Sequence, residues 1–210
     1  MMGVYRWMTL GLAVTALIAY SVATSEAALR LVIGNRLVFF SLIIAEFGLV
    51  VAISAAANRL SAAVAGGLFL LYSALNGATL SVVLLAYTGN SVAIAFVTTA
   101  GTFGAMSVYA TVTRRDLSSW GSFLFMGLIG VVIASLVNIF LNSGIMSFVI
   151  SCAAVVVFTG LAAYDTQKLR AFARSGGGSA AMPVNGALAL YLDFVNLFLA
   201  LLRLFGGRRS

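Results

Sequence analysis

Long runs without a charged residue dominate the pattern of polar and hydrophobic positions along this chain. Residues 60–113 contain no Asp, Glu, Lys or Arg over 54 positions, and residues 117–164 contain none over 48. A helix rises about 1.5 Å per residue and the hydrocarbon core of a bilayer is about 30 Å thick, so one span needs about 20 residues. Each run is therefore long enough for two spans, and turn residues divide them at YTGN (87–90) and LNSG (141–144).

The whole chain, interpreted in this way, predicts an all-α membrane protein with seven transmembrane helices. The predicted spans cover about residues 7–25, 37–57, 60–86, 91–113, 117–140, 145–167 and 184–205. Pro183 is favourable at a helix start, and Gly206 and Gly207 are typical of a helix end. The composition agrees, since 62% of the 210 residues are hydrophobic and 8% are charged, with a mean hydropathy of +1.12. We expect a single integral membrane domain over residues 1–210.

Most of the basic residues lie at the ends of the apolar runs. The net charge of +7 (12 Lys and Arg against 5 Asp and Glu) is therefore typical of membrane anchors and topology signals, and we expect no nucleic-acid partner. A cytoplasmic N-terminus places seven basic residues inside, namely Arg6, Arg59, Arg114, Arg115, Lys168, Arg170 and Arg174. It leaves five outside, namely Arg30, Arg36, Arg203, Arg208 and Arg209. This excess predicts a cytoplasmic N-terminus, whereas the side of the C-terminus depends on whether residues 184–205 cross the membrane or re-enter it.

Residue types that the sequence lacks exclude several kinds of chemistry. Without histidine, the chain has neither an HExxH zinc site nor a Ser-His catalytic pair. Cys152 is the only cysteine and lies within an apolar run, so it forms no intrachain disulfide and we interpret it as a packing residue. We expect no organic cofactor.

Three acidic residues, Glu46, Asp165 and Asp193, lie within predicted spans. An ionisable residue inside a span costs at least about 2.5 kcal/mol on insertion scales, so it is normally paired, faces a cavity or serves a function. Asp165 has a simple alternative interpretation as an interfacial ion pair with Lys168, three residues later. Glu46 has one as a protonated acid that forms a structural hydrogen bond to another helix. Asp193 has no such ion-pair partner, because Arg203 is ten positions away.

Asp165 and Asp193 are predicted in the same half of the membrane, because the sixth span ends on the side where the seventh begins. Two carboxylates on adjoining helices resist ionising together and titrate as a coupled pair. Their oxygens are also the hard ligands that Ca²⁺ prefers. The two aspartates are therefore the first candidates for a functional site.

Polar and small residues also recur at helical spacing. Tyr72, Asn76 and Thr79 share one helix face, which either lines a polar path or forms hydrogen bonds with a neighbouring helix. Gly101 and Gly130 each begin a repeat of small residues four positions apart. Such repeats are typical of close helix packing in lipid, and we interpret them in that way.

Five stretches closely resemble the transmembrane Bax inhibitor motif family in its compact bacterial form. They are FLLYSALNGATLS (69–81), AFVTTAGTFGAMSVYA (95–110), RDLSSWGSFLFMGLIGVVIASLVNIFL (115–141), VFTGLAAYDTQKL (157–169) and LALYLDFVNLFLALLRLFG (188–206). The last two are the most specific, and the N-terminal 36 residues resemble the family only in hydropathy. The resemblance implies a bundle of seven helices in which the C-terminal helix is surrounded by the other six.

The resemblance also implies a function, a Ca²⁺ leak across the membrane that protons regulate through a pair of aspartates. The pair falls on Asp165 and Asp193, which are then the expected Ca²⁺ ligands. The basic latch of the family falls on Arg59, which we expect to pair with Asp165 in the closed state, and an additional acid falls on Glu46. Ca²⁺, protons and the lipid bilayer are the implied partners, and the bacterial plasma membrane is the implied location.

Two other classes of function are compatible with parts of this sequence. Intramembrane aspartyl proteases also use two aspartates on neighbouring helices, but they place a GxGD motif at the second. Here bulky Leu190, Tyr191 and Leu192 precede Asp193, so we expect no enzymatic activity. The remaining alternative, also associated with the family, is a membrane interaction protein that modulates a membrane protease or the machinery of cell death and stress. Its membrane-protein partner would have to contact the lipid-facing helices, because the loops are short.

Overall fold

The chain is helical throughout most of a computed structural model that describes residues 1–56, 59–175 and 181–207. The α-helices in these residues are α1 (Met2–Thr24), α2 (Glu26–Val32), α3 (Arg36–Ala55), α4 (Ala62–Ala86), α5 (Gly89–Val112), α6 (Gly121–Leu141), α7 (Gly144–Arg174) and α8 (Met182–Phe205). A short 3-10 helix, Ser118–Trp120, precedes α6. The described residues contain no β-strand, and the predicted all-α class is confirmed. Arg208 and Arg209, used above for topology, lie outside the described residues.

Seven of these helices, α1 and α3 to α8, are long and apolar enough to cross a membrane. Each of them contains the core of one predicted span, so the prediction of seven transmembrane helices is confirmed. Their outer surfaces are strongly apolar. Leu37 on α3 is 83% exposed and Phe140 on α6 is 89% exposed. Side chains of this kind in such number favour a lipid environment over water.

Differences from the sequence prediction occur at helix ends and in one connection. Residues between the first two spans, predicted as a connection, contain the additional helix α2. The Ser25 side chain caps its N-terminus, and an exposed ion pair of 3.6 Å joins Glu26 and Arg30 one turn apart. Helix α7 ends at Arg174 rather than near residue 167, because hydropathy marks where a helix leaves the lipid and not where it ends.

Unit 1, one of two compact units in the chain, comprises Met1–Thr88 and Ser175–Tyr191 among the described residues. Helix α1 packs along α4, and α3 packs against the same helix. The backbones of α1 and α4 approach closely at Gly77 of α4, where an added Cβ atom would lie 2.6 Å from the backbone oxygen of Thr15. Backbone-to-backbone proximity of this kind needs a residue without a side chain.

Unit 2 comprises Gly89–Arg174 and Leu192–Gly207. Helix α7 packs against both α5 and α6. The apolar core of unit 2 combines residues of α6, α7 and α8, namely Leu124, Val157, Phe158, Leu161, Leu197 and Leu201. The chain thus divides into two compact units, and a single domain over residues 1–210 stays a prediction.

Helix α8 contributes Met182–Tyr191 to unit 1 and Leu192–Phe205 to unit 2. In its most apolar stretch 56% of the residues are buried, compared with 6–33% in the other six spanning helices. Tyr191 and Leu197 are fully buried, one in each unit. The predicted central position of the C-terminal helix is confirmed.

The small-residue repeats at Gly101 and Gly130 do not mark helix contacts. An added Cβ atom at either glycine would meet no atom of the described residues within 4 Å. The packing interpretation of these repeats was therefore wrong. Close approach occurs instead at glycines such as Gly77 in unit 1 and Gly160 in unit 2, where an added Cβ atom would lie 2.6 Å from a neighbouring helix. A small residue permits close packing but does not say which face of its helix is packed.

Candidate functional site

Asp165 on α7 and Asp193 on α8 lie together in unit 2. Their carboxyl groups are close enough to affect each other's ionisation, so the structure brings together the two aspartates that the sequence singled out. Asp193 is only 5% exposed, whereas Asp165 is half-buried. No donor among the described residues reaches the buried Oδ2 atom of Asp193.

This arrangement has a direct chemical consequence. An ionised carboxylate only accepts hydrogen bonds, so two carboxyl groups can form a hydrogen bond only if they hold a proton between them. When that proton leaves, two negative charges remain close together in a poorly solvated site and require a cation. The pair can therefore hold a proton or attract a cation, but it cannot readily do both.

Residues close to the two aspartates along α7 and α8 include an aromatic and a basic side chain. Phe194, the residue after Asp193, makes edge-to-face contacts with Phe96 and Phe103, with ring centroids 5.5 and 5.6 Å apart. Lys168 is near enough to act on Asp165 electrostatically, but its Nζ lies over the ring of Tyr164, 5.6 Å from the centroid. Within unit 2 the described residues form no ion pair with Asp165. The ion pair with Lys168, which was one alternative interpretation of Asp165, is thus only a longer-range attraction.

The end of α7 beyond Asp165 is fixed to the connection between α5 and α6. Gln167 accepts a hydrogen bond from the backbone N–H of Leu117 at 2.8 Å and donates one to the carbonyl of Arg115 at 2.9 Å. In the same connection, hydrogen bonds from the Ser118 hydroxyl and backbone N–H hold the pKa of the exposed Asp116 carboxyl below its ordinary value. The Gln167 contacts fix the rotation of α7 and hence the direction of Asp165.

Arg59, the predicted latch, lies in the turn after α3, and its backbone N–H donates to the carbonyl of Ala56 at 2.8 Å. It belongs to unit 1, whereas Asp165 belongs to unit 2. The pairing of Arg59 with Asp165 stays a prediction.

Glu46 is the centre of a second polar cluster, which lies in unit 1. Its carboxyl oxygens accept hydrogen bonds from Thr79 Oγ1 at 2.8 Å and from Asn76 Nδ2 at 3.1 Å. Asn76 and Thr79 are on α4, so the polar face predicted from their spacing forms hydrogen bonds with a neighbouring helix. This was one of the two interpretations that the sequence left open.

The cluster extends to residues that the sequence did not identify. The Tyr191 hydroxyl donates to Asn76 Oδ1 at 2.9 Å and lies 2.6 Å from Thr15 Oγ1, which in turn donates to the carbonyl of Ser73 at 2.9 Å. Tyr191 is only two positions before Asp193, which places the two side chains about 200° apart around α8. One short motif therefore supplies the aspartate of unit 2 and the tyrosine of unit 1.

Hydrogen counting shows that this network accommodates two protonation states of Glu46. If Tyr191 donates to Asn76 and Thr15 donates to Ser73, no hydrogen remains for the 2.6 Å contact between Tyr191 and Thr15. If the Asn76 amide is turned over, its nitrogen donates to Tyr191, and Tyr191 donates to Thr15. Asn76 then offers its oxygen to Glu46, which must be protonated. With neutral Glu46, every contact between Glu46, Asn76, Tyr191, Thr15 and the Ser73 carbonyl has its own hydrogen. With ionised Glu46, Thr15 must donate to Tyr191 and so loses its hydrogen bond to the Ser73 carbonyl.

We expect Tyr191→Phe to lower the free energy of unfolding by about 1–3 kcal/mol, because it leaves buried partners on Asn76 and Thr15 unsatisfied. Tyr72→Phe is the matched control. Tyr72 is also buried and its ring lies 5.7 Å from that of Tyr191, but its hydroxyl forms no hydrogen bond among the described residues. Unfolding of the detergent-solubilised variants by denaturant measures both effects. Equal losses in the two variants would show that the network adds nothing to stability.

Seven long apolar helices define an integral membrane protein, and comparison with known proteins identifies its family. Residues 1–210 match the family described as "Inhibitor of apoptosis-promoting Bax1". The chain is 50% identical to the inner membrane protein YbhL of Escherichia coli K12 over 211 residues, which cover 98% of this chain and 90% of that protein. It is 48% identical to an uncharacterized protein of Deinococcus radiodurans, covering 97% of this chain and 88% of that one. The chain belongs to the Bax inhibitor family.

Proposed function

We propose that this protein is a pH-sensitive Ca²⁺ leak channel or transporter regulated by the Asp165–Asp193 pair. The observation that carries the proposal is the proximity of the two carboxyl groups, of which Asp193 is buried and has an oxygen without a donor among the described residues. A buried acid of this kind is costly in a membrane protein unless it serves a proton or an ion.

In this proposal protons and Ca²⁺ compete for the same oxygens. The protonated pair is internally hydrogen-bonded and carries too little charge to attract a divalent cation. The deprotonated pair offers two negative charges to Ca²⁺, which takes six to eight oxygen ligands. The described residues contain no cluster of three or more acidic, Cys or His side chains that could hold a metal ion, so neutral oxygens, from water, backbone carbonyls or uncharged side chains, must complete the coordination. A site with so few protein charges suits an ion that passes through more than one that stays.

Two further residues have roles in the proposal. Arg59 acts as a latch that pairs with Asp165 in the closed state, and Glu46 is an additional proton-binding acid. The Glu46 role rests on the network with Asn76 and Tyr191, which accommodates either protonation state. We place the protein in the bacterial plasma membrane with a cytoplasmic N-terminus, which puts Arg59 and the end of α7 on the cytoplasmic side. We assign it no enzymatic activity.

Ca²⁺ entry into dye-loaded liposomes, measured from about pH 5 to about pH 8, tests the proposal. We expect flux above that of empty liposomes, with a clear dependence on pH. Arg59→Ala should shift the balance towards the open state and change the pH profile, because it removes the cation that compensates Asp165.

Two results would count against the proposal. Flux equal to that of empty liposomes, with correct insertion shown by protease protection, would remove the leak function and favour the role of a membrane interaction protein. Crosslinking followed by co-purification would then identify the membrane-protein partner. Wild-type flux and an unchanged pH profile in Arg59→Ala would remove the latch alone.

A further inference from the structure

A cavity of about 300 Å³ lies between α6, α7 and α8 in unit 2. Its wall is mainly apolar and includes Leu136 and Ile139 of α6, which are 55% and 72% exposed. The cavity is therefore continuous with the surface that faces lipid. It does not include Asp165 or Asp193 and is separate from the site described above.

Arg203 supplies the charge in this cavity. It lies in the last turn of α8, two residues before the helix ends at Phe205, which is the depth of lipid headgroups for a helix that crosses the membrane. Its side chain is exposed, and within unit 2 it has no hydrogen-bond or ion-pair partner among the described residues. A guanidinium group carries five donors and a permanent charge, and it matches the oxygens of a phosphate.

The other polar groups lie deeper in the cavity. Ser135 and Ser151 donate to carbonyls of their own helices at 2.7 and 2.8 Å. Asn196 uses one amide hydrogen for the carbonyl of Leu192 at 2.8 Å and has a second one available. Asn196 is seven residues before Arg203, or about 10 Å along the helix. The cavity thus offers a cation at the membrane surface, a neutral donor below it and an apolar wall beside both.

We propose that this cavity binds one molecule of an acidic phospholipid, with its phosphate on Arg203, an ester carbonyl near Asn196 and an acyl chain along Leu136 and Ile139. The cation selects an anionic headgroup, because a guanidinium group forms charge-assisted hydrogen bonds with phosphate oxygens. The apolar wall selects a lipid over a soluble phosphate, because only a lipid buries hydrocarbon there. Arg203 then binds the headgroup of one specific lipid and is not only an anchor at the membrane interface.

Native mass spectrometry of the delipidated protein with equal amounts of phosphatidylglycerol and phosphatidylcholine tests this assignment. We expect one bound phosphatidylglycerol, preferred over phosphatidylcholine by about fivefold, the contribution typical of one basic residue near an anionic lipid. Arg203→Gln should abolish the preference and Arg203→Lys should retain it. Arg36→Gln is the matched control, because Arg36 is also an exposed arginine at the end of a spanning helix but lies outside the cavity.

Two further arms test the site and the source of the phosphate. Ser135→Phe fills the cavity from a half-buried position on α6 and should reduce binding of the lipid while Arg203 is intact. Glycerol phosphate in excess should not displace the lipid. A preference that survives Arg203→Gln, or is lost equally in Arg36→Gln, would overturn the assignment, as would binding unchanged by Ser135→Phe. Displacement by glycerol phosphate would identify a soluble anion site instead.

Discussion

Ca²⁺ binding and flux in the Asp193→Asn variant are expected to lose most of their dependence on pH. In the wild type, acidification must weaken Ca²⁺ binding, because protons and Ca²⁺ compete for the same carboxyl oxygens. If one proton leaves for each Ca²⁺ bound, affinity changes by up to about tenfold per pH unit, and linkage requires Ca²⁺ to favour release of that proton to the same degree. The amide keeps the shape of Asp193 but neither titrates nor contributes charge, so the slope should fall towards zero.

Asp116→Asn is the control for this experiment, because Asp116 is an exposed carboxylate in the connection after α5 and outside the pair. It should leave both the affinity and its pH slope unchanged. Binding to detergent-solubilised protein gives the affinity, and liposome flux gives the rate. A wild-type slope in Asp193→Asn, in protein that elutes as a single folded species, would mean that the aspartate pair is only structural.

Gly77→Ala is expected to lower the stability of unit 1 markedly. The added Cβ atom would lie 2.6 Å from the carbonyl oxygen of Thr15 and 2.9 Å from Cβ of Ile18. Because one of these is backbone, the contact can be relieved only by moving α1 away from α4. Overpacking of this kind costs about 1–3 kcal/mol, which outweighs the gain of up to about 1 kcal/mol from replacing glycine by alanine in a helix.

Another glycine on α4, Gly67, provides a matched control. An added Cβ atom at Gly67 meets nothing within 4 Å, so Gly67→Ala should be neutral or slightly stabilising by helix propensity alone. The free energy of unfolding of both variants in detergent measures the difference. If Gly77→Ala is as stable as Gly67→Ala, α1 and α4 do not pack as closely as described here.

The spanning helices were predictable because hydropathy is a local property and the bilayer fixes the length of each span. Helix α2 was missed because seven residues are too few for a periodicity, although Ser25 before Glu26 is a recognisable cap. The close packing at Gly77 and the open surface at Gly101 and Gly130 were not predictable either. Which face of a helix is packed depends on its neighbours, and these are not encoded in the spacing along one helix.

The candidate site was also predictable from the sequence only in part. Asp165 and Asp193 stood out because a charge in an apolar run is conspicuous wherever its partner lies. The network of Glu46 did not, because Tyr191 is 115 residues from Asn76 and 176 residues from Thr15. Tyrosine and threonine are ordinary residues in a membrane helix, and only the fold shows that Tyr191 forms hydrogen bonds with Thr15 and Asn76.

Helix α7 is longer than the hydrocarbon core of a bilayer is thick. Its 31 residues extend over about 46 Å, which exceeds the hydrocarbon thickness by roughly half. Arg174 is exposed at its end, nine residues from Asp165 on the same continuous helix. A spin label or fluorophore at position 174 would therefore report rotation of the part of α7 that carries Asp165, while the probe itself stays outside the lipid.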